Sequence, residues 1–348
     1  MTDQPHPTAS GPAATFEEIR RIFKSLPGPD LDAATATTLR ERNLTKPPGS
    51  LGRLEELTEW LATWQGKHPP VVAHPRTAVF AANHGVAVQG VSAYPSAVTA
   101  QMVQNFIDGG AAVNQLVAVV DGDLRVYEMA LDQPTRDFTI APAMDEENCA
   151  KAVAYGMMAV EPGLDILALG EMGIGNTTSA AALCLALFGG EAADWVGPGT
   201  GIEGERLAHK VKMVERAVAL HKPVMTDPLE ALRCVGGLEL AAIIGAILAA
   251  RLAKLPVVLD GYVCTAAAAV LHAYDKHMLD HCIVAHCSAE PGHRRLVEKL
   301  GKTPLFDFGM RLGEGSGATL AVAILKSAVA CHTGMATFAE AGVSDKNG

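Results

Sequence analysis

Leu167-Ala168-Leu169-Gly170-Glu171-Met172-Gly173-Ile174-Gly175-Asn176-Thr177-Thr178-Ser179 is the stretch whose reading decides the fold. An apolar run at 164–169 leads into it and an alanine-rich apolar segment at 180–188 leaves it, so the pattern is strand, glycine turn, helix. A helix that starts at such a turn offers free backbone N–H groups to an anion. Gly170, Gly173 and Gly175 let the backbone come close to a ligand, and Asn176, Thr177 and Thr178 add amide and hydroxyl donors. Neither common nucleotide loop fits: no Lys-Ser/Thr follows the last glycine, and Gly173-Ile174-Gly175 lacks the third glycine of the dinucleotide fingerprint. From spacing alone the stretch reads either as a phosphate or sugar-phosphate site or as an ordinary strand-to-helix turn with a threonine cap.

The same alternation extends to both sides. Residues 77–82, 124–130, 164–169, 256–259 and 282–286, with a weaker run at 193–196, read as about six strands separated by helices. That is an α/β pattern, a parallel sheet covered by helices on both faces, with right-handed crossovers. Before the proline-rich linker at 69–75 the chain is helical. Thr15-Phe16-Glu17-Glu18 has the capping-box form, and Phe16, Ile19, Ile22, Phe23 and Leu26 follow at helical spacing. A second helix, about 30–42, has little apolar face and is expected to be exposed or to pack in an interface. Then Lys46-Pro47-Pro48-Gly49-Ser50-Leu51-Gly52 reads as a rigid turn that opens a third helix, with Leu54, Leu57, Leu61 and Trp64 on one side.

Composition bounds the function. With 348 residues, 49% of them hydrophobic, the chain can bury a large core. A net charge of -10 argues against a nucleic-acid partner, because no basic stripe exists to displace counterions. The run at 240–250 is too short to cross a bilayer, so no membrane association is expected. Residues 1–14 carry no secretory signal and read as a disordered tail. The 7 cysteines sit in apolar segments, as reduced core thiols of a cytoplasmic protein would. His281-Cys282-Ile283-Val284-Ala285-His286-Cys287 invites a metal reading, but its apolar centre reads better as a buried strand, and no metal is expected.

Ligands of parallel sheets bind beyond the carboxyl ends of the strands. The residues there are polar and glycine-rich: Asn83-His84-Gly85, 170–178, Gly197-Pro198-Gly199-Thr200-Gly201, Asp260-Gly261-Tyr262 and His286-Cys287-Ser288-Ala289-Glu290. Their convergence points to one composite site. Lys210 flanks the apolar stripe of the helix after Gly201 and reads either as a solvent-exposed lysine or as a phosphate contact across the glycine loop. Glu314, in Arg311-Leu312-Gly313-Glu314-Gly315-Ser316-Gly317-Ala318, reads either as a partner of a helix dipole or as an acid projecting into a cavity.

Taken together, Lys46 to Gly52, His84-Gly85-Val86, Gly170 to Thr178, Leu259-Asp260-Gly261, Ser288-Ala289-Glu290 and Arg311 to Ala318 resemble, in order, the nicotinate-nucleotide:dimethylbenzimidazole phosphoribosyltransferases, which assemble the lower nucleotide loop of cobalamin. The likeness runs from about Thr45 to Cys331. It implies a Rossmann-like catalytic domain at 76–314, a small domain of helices from 15–75 and 315–348, and a homodimer. It also implies transfer of phosphoribose from nicotinate mononucleotide to 5,6-dimethylbenzimidazole or a related base, with inversion and without a cofactor or metal, because the leaving pyridinium is already cationic.

The resemblance assigns roles. Glu314 matches the general base that takes the acceptor's ring proton, and Glu171 supports it or bonds neighbouring backbone amides. Gly173, Gly175, Asn176, Thr177, Thr178, Gly199, Thr200, Gly201 and Lys210 would hold the donor phosphate, with Ser288, Glu290 and Gly292 along its ribose or nicotinate. Gln89, Met172, Leu312 and Gly313 would wall the base, where polarizable methionine suits varied ring substituents. Asn83 stands where some relatives carry aspartate, which leaves base preference open. A non-catalytic nucleotide or azole binding protein is the alternative, and it would not need an acid at Glu314. An oxidoreductase would need the dinucleotide fingerprint that the glycine turn lacks.

Overall fold

A computed structural model describes residues 14–344, so the tail expected at 1–14 lies, but for Ala14, outside the described residues. Three helices come first: α1 (Phe16–Phe23), α2 (Leu31–Asn43) and α3 (Arg53–Gln65). The capping box of α1 forms, with Thr15 accepting from the Glu18 N–H and Glu18 accepting from the Thr15 N–H. From β1 (Pro75–Ala81) onward strands and helices alternate: α4 (Ala97–Ile107), α5 (Ala112–Val119), β2 (Asp123–Glu128), α6 (Glu146–Met157), β3 (Ile166–Met172) and α7 (Asn176–Phe188). Then follow α8 (Gly204–His221), α9 (Pro228–Val235), α10 (Leu238–Leu252), β4 (Val257–Leu259), α11 (Tyr262–Tyr274), β5 (Cys282–Val284) and α12 (Pro291–Lys299). The chain closes with α13 (Ser316–Gly334) and α14 (Phe338–Ala341).

The sheet has five strands in the order β2-β1-β3-β4-β5, with every neighbouring pair parallel. The expected count of about six is therefore one too high. Residues 193–196 are not a strand: Ala192–Asp194 form a 3-10 turn, and Trp195 is buried with its indole N–H donated to Gly189 O at 2.8 Å. The apolar residues that imitate a strand there anchor an indole instead.

Strand alternation sorts the core. Leu167 and Leu169 pack among α6, α7, α10 and α11, whereas Ile166 and Ala168 pack against α3 and α13 on the opposite face. Phe16 and Ile19 of α1 join the first of these cores. Helix α2 lies on α3, and α13, grouped with the terminal helices by sequence, lies against α3, β3 and β4. By length and composition α13 could cross a membrane. Its packing on the sheet, together with a Thr77–Thr319 hydroxyl bond of 2.8 Å, accounts for the apolar composition instead.

The turn after Lys46 is held from within. The buried Lys46 ammonium lies 2.9 Å from Glu41 and 2.8 Å from Glu55, and Glu55 accepts the Gly49 and Leu51 N–H groups. In the sheet, chain connections leave β1 and β3 in opposite directions, and that reversal opens a crevice at their carboxyl ends.

Candidate active site

The carboxyl ends of β3, β4 and β5 border one cavity of about 520 Å³. The structure brings to its wall Glu171, Met172, Gly173, Asn176 and Thr177 from the glycine turn, and Gly199 and Thr200 from the next loop. Ser288 and Glu290 line it after β5, and Leu312, Gly313 and Glu314 before α13.

Glu314 is held in an uncommon backbone. Gly313 (φ 81°), Glu314 (φ 64°) and Gly315 (φ 76°) are three successive left-handed residues. A residue with a side chain is strained there by about 1 to 3 kcal/mol and persists only where its surroundings fix it. Two contacts do so. The Glu314 N–H donates to Glu171 O at 3.1 Å, and Asp260, just after β4, accepts the Gly315 N–H at 3.1 Å and the Ala318 N–H at 2.8 Å. Asp260 thus caps α13 from a distant part of the chain. Gly170 is glycine because the loop lies directly on it: an added Cβ would sit 2.3 Å from Gly315 N.

Both glutamates are pushed towards their protonated forms. Glu314 is 6% exposed. Burial, and then the charge of Asp260, push its carboxyl up to about 7. Glu171 is driven well above the usual carboxylate range by burial first, and then by Asp260, Glu239 and Glu314. The Asn176 amide donates to it. Glu314 therefore changes charge near neutrality, and Glu171 beside it is biased towards its protonated form by burial and the neighbouring acids.

Beside Glu171, α7 starts after left-handed Gly175 (φ 100°) with no side-chain cap. Asn176 and Thr177, its first residues, line the cavity, so the positive end of the helix borders it. Lys210 stands behind them, fully buried, and the reading of a solvent-exposed lysine does not hold. Its ammonium donates to Thr177 Oγ1 at 2.8 Å and Gly197 O at 3.0 Å. Burial lowers its pKa to about 8 against the raising influence of Glu290.

Several expected residues lie elsewhere. Gln89 is not at the cavity wall: its side-chain amide donates to Asp137 Oδ2 at 2.6 Å, and its backbone carbonyl lies 2.8 Å from His209 Nε2. The segment that follows is bound to the Gly197–Gly201 side by Ser92–Thr200 and Ala93–Thr200 contacts of 2.9 Å. Asn83 donates to Leu131 O at 2.8 Å, also away from the wall. Gly175, Thr178, Gly201 and Gly292 are not lining residues. Gly292 instead packs where a Cβ would meet Trp195 O at 2.5 Å. His84 lies beneath the glycine turn, with Nε2 2.5 Å from Glu239 Oε1 and Nδ1 2.9 Å from Ser179 Oγ. A Cβ on Gly173 would come within 3.3 Å of that Nε2.

The cavity also contains Tyr94, Val98, Met102 and Val263, which the motifs did not single out, beside Gly261 and His286 from the polar loops after β4 and β5. Val98 and Met102, four apart on α4, form one face of that helix, a spacing visible in the sequence. Together with Met172 and Leu312 they supply the apolar part of the cavity wall.

A family model described as a phosphoribosyltransferase matches residues 26–343. The nicotinate-nucleotide:dimethylbenzimidazole phosphoribosyltransferase of Rhizobium meliloti (strain 1021) is 58% identical over 331 residues, spanning 95% of this chain and 98% of the relative. The Brucella canis protein of the same name is 58% identical over 329 residues, 94% of this chain and 97% of the relative. A solved structure of the phosphoribosyltransferase of that name from Thermus thermophilus superposes with a TM-score of 0.84 at 41% identity, covering 91% of this chain and 99% of that one.

Proposed function

Because this chain belongs to the nicotinate-nucleotide:dimethylbenzimidazole phosphoribosyltransferase family, and is thereby a pentosyltransferase, we propose that it moves phosphoribose from nicotinate mononucleotide to 5,6-dimethylbenzimidazole or a related base. The products are nicotinate and α-ribazole 5′-phosphate, an intermediate of cobalamin biosynthesis. The observation that carries this reading is Glu314, a strained, buried acid that lines the cavity and titrates near neutrality.

The donor's C1′–N bond breaks with its electron pair passing to the pyridinium nitrogen, which leaves neutral. An unprotonated ring nitrogen of the acceptor forms the new bond to C1′, and the acceptor's other N–H becomes strongly acidic. Glu314 takes that proton, and a pKa of about 7 leaves a large fraction of it ready as base at neutral pH. Burial and the neighbouring acids favour the protonated form of Glu171 on the same wall, and in that form it donates a hydrogen bond instead of competing for the proton. The donor phosphate is held by the start of α7, Thr177, the loop at Gly199 and Thr200, and the Lys210 charge behind them. The base lies on Met102, Met172 and Leu312, so donor and acceptor meet from opposite sides of the ribose and a β donor gives an α product.

The division into a small unit (15–75 with 315–348) and a catalytic unit (76–314), the homodimer and the cytoplasmic location belong to the same proposal. Exposed Leu31 and Leu39 on α2 support an interface between copies on that helix. The test of the reaction is direct. The protein is incubated with nicotinate mononucleotide and a panel of benzimidazoles, purines and phenols, and the products are identified. Release of nicotinate only when a base is present supports transfer. Tight binding of both ligands without products would favour the non-catalytic binding protein.

A further inference from the structure

Nicotinate mononucleotide carries a phosphate at one end and a carboxylate at the other, yet among the described residues the cavity wall holds a single lysine or arginine, Arg311. Lys210 is not part of that wall. Its side chain is fully buried, and its ammonium is engaged by Thr177 Oγ1 and Gly197 O. It acts on a ligand as a charge behind the threonine. Arg311, by contrast, is exposed and lines the cavity. Among the described residues its guanidinium makes one hydrogen bond, from Nη1 to Gly199 O at 3.0 Å, and pairs with no carboxylate. A guanidinium has several N–H groups in a planar fork, so most of this one is free to meet an anion.

The place of that fork identifies the anion. Gly199, left-handed at φ 52°, is gripped from both sides: its N–H donates to Glu290 Oε1 at 2.9 Å while its carbonyl accepts from Arg311. A Cβ added to Gly199 would sit 2.6 Å from Thr177 Oγ1 and 3.1 Å from Lys210 Nζ. Arg311 and Lys210 therefore flank one glycine, beside the start of α7. Burial raises the Glu290 carboxyl, and Lys210, the Gly199 N–H and Arg311 oppose that rise, so both cations act on the same acid. Ionised Glu290 cancels the charge of one of them, and the second is needed to leave the subsite positive for a phosphate.

The loop that brings Arg311 also carries Glu314. It is anchored at its start by Met310 O, which accepts the Ala289 N–H at 2.9 Å, and at its end by the bonds of Glu314 to Glu171 and of Gly315 to Asp260. Between these anchors Arg311 ties the loop to the phosphate side of the cavity.

We infer that Arg311 donates directly to the phosphate of the nucleotide donor, with Lys210 as the buried charge behind it, and that this contact fastens the loop carrying Glu314 over the bound donor. This rests on the donor assignment proposed above. Binding of the phosphate, remote from C1′, is then used to place the base, so loss of the contact lowers kcat as well as affinity.

The test compares wild type, Arg311→Gln and Arg311→Lys. Glutamine keeps a donor for Gly199 O without the charge, and lysine keeps the charge without the fork. Calorimetry without acceptor gives the affinities for nicotinate mononucleotide and nicotinate riboside, which differ only in the phosphate. Saturating assays with dimethylbenzimidazole give kcat with the mononucleotide. Wild type is expected to prefer the mononucleotide by about 100-fold or more, Arg311→Gln to cut both that preference and kcat by about tenfold or more, and Arg311→Lys to recover part of each. An undiminished preference in Arg311→Gln would overturn the inference, as would equal weakening of both donors or an unchanged kcat. A wild type that binds the two donors equally would overturn it as well, a result that needs no variant to fold. Loss of discrimination between nicotinate and nicotinamide mononucleotides in Arg311→Gln, with the phosphate preference intact, would assign Arg311 to the carboxylate and overturn it too. A wild type that binds neither nicotinate mononucleotide nor nicotinate riboside refutes the donor assignment itself, separately from the role of Arg311.

Discussion

Replacing Glu314 by glutamine exchanges a carboxyl for an amide of nearly the same shape and keeps the left-handed backbone at φ 64°. The effect on stability follows from the carboxyl's pKa, pushed from 4.5 up to about 7 by burial and Asp260. Between those values the folded protein keeps a proton that the unfolded chain has released. Stability therefore falls as pH rises through that window and levels off above it. A shift of about 2.5 units at about 1.4 kcal/mol each sets an upper bound of about 3.5 kcal/mol, and access of the cavity to water reduces it to about 1 to 2 kcal/mol. Glu314→Gln is then expected to match wild type in urea melts at pH 4.5 and to exceed it by that amount at pH 8. Its kcat should fall by about 10²- to 10⁴-fold, the usual worth of a general base, with donor affinity retained. Near-normal turnover with dimethylbenzimidazole would refute the base assignment. A stability difference independent of pH would refute the electrostatic argument.

Burial lowers the Lys210 ammonium to a pKa of about 8. Donor affinity should weaken by up to tenfold per pH unit above pH 8 as the free lysine loses its charge, and Lys210→Met should remove that dependence while hardly changing nicotinate binding. Flat calorimetric affinity from pH 7.5 to 9.5 in wild type would show that Lys210 does not act on the phosphate. Gly170→Ala places a methyl 2.3 Å from Gly315 N, so it should shift the Glu314 loop, lower kcat at least about 100-fold and cost about 1 to 3 kcal/mol in a denaturant melt. Unchanged kcat would mean that the loop tolerates displacement. Asp260→Asn removes one of the two causes that raise the Glu314 carboxyl. The acid limb of the kcat/KM profile should therefore move to lower pH, and an unmoved limb would place the titration on another group.

The sequence carries the part of this fold that depends on neighbours along the chain. The run before Gly170 and the helix after Asn176 are local features, and so is the alternation that puts Leu167 and Leu169 on one face and Ile166 and Ala168 on the other. Trp195 shows the limit, since an indole sunk beneath Gly189 gives 193–196 the composition of a strand without a partner to pair with. The site is legible where glycine motifs mark it, at Glu171, Thr177, Gly199 and Glu314. Gln89 turns from the cavity because its side-chain amide is bound by Asp137, distant in sequence. Lys210 carries two readings until the packing of α8 removes it from water.

Anomeric configuration tests the central claim most directly. In the proposed geometry Glu314 takes the proton of a base that attacks C1′ from the side opposite the leaving nicotinate. Proton NMR of the C1′ resonance of the product from β-nicotinate mononucleotide and dimethylbenzimidazole should show the α-riboside 5′-phosphate alone, formed one-to-one with nicotinate. A β-riboside would require attack from the departing side or a covalent intermediate, and would contradict the arrangement of donor, acceptor and Glu314 argued from this cavity.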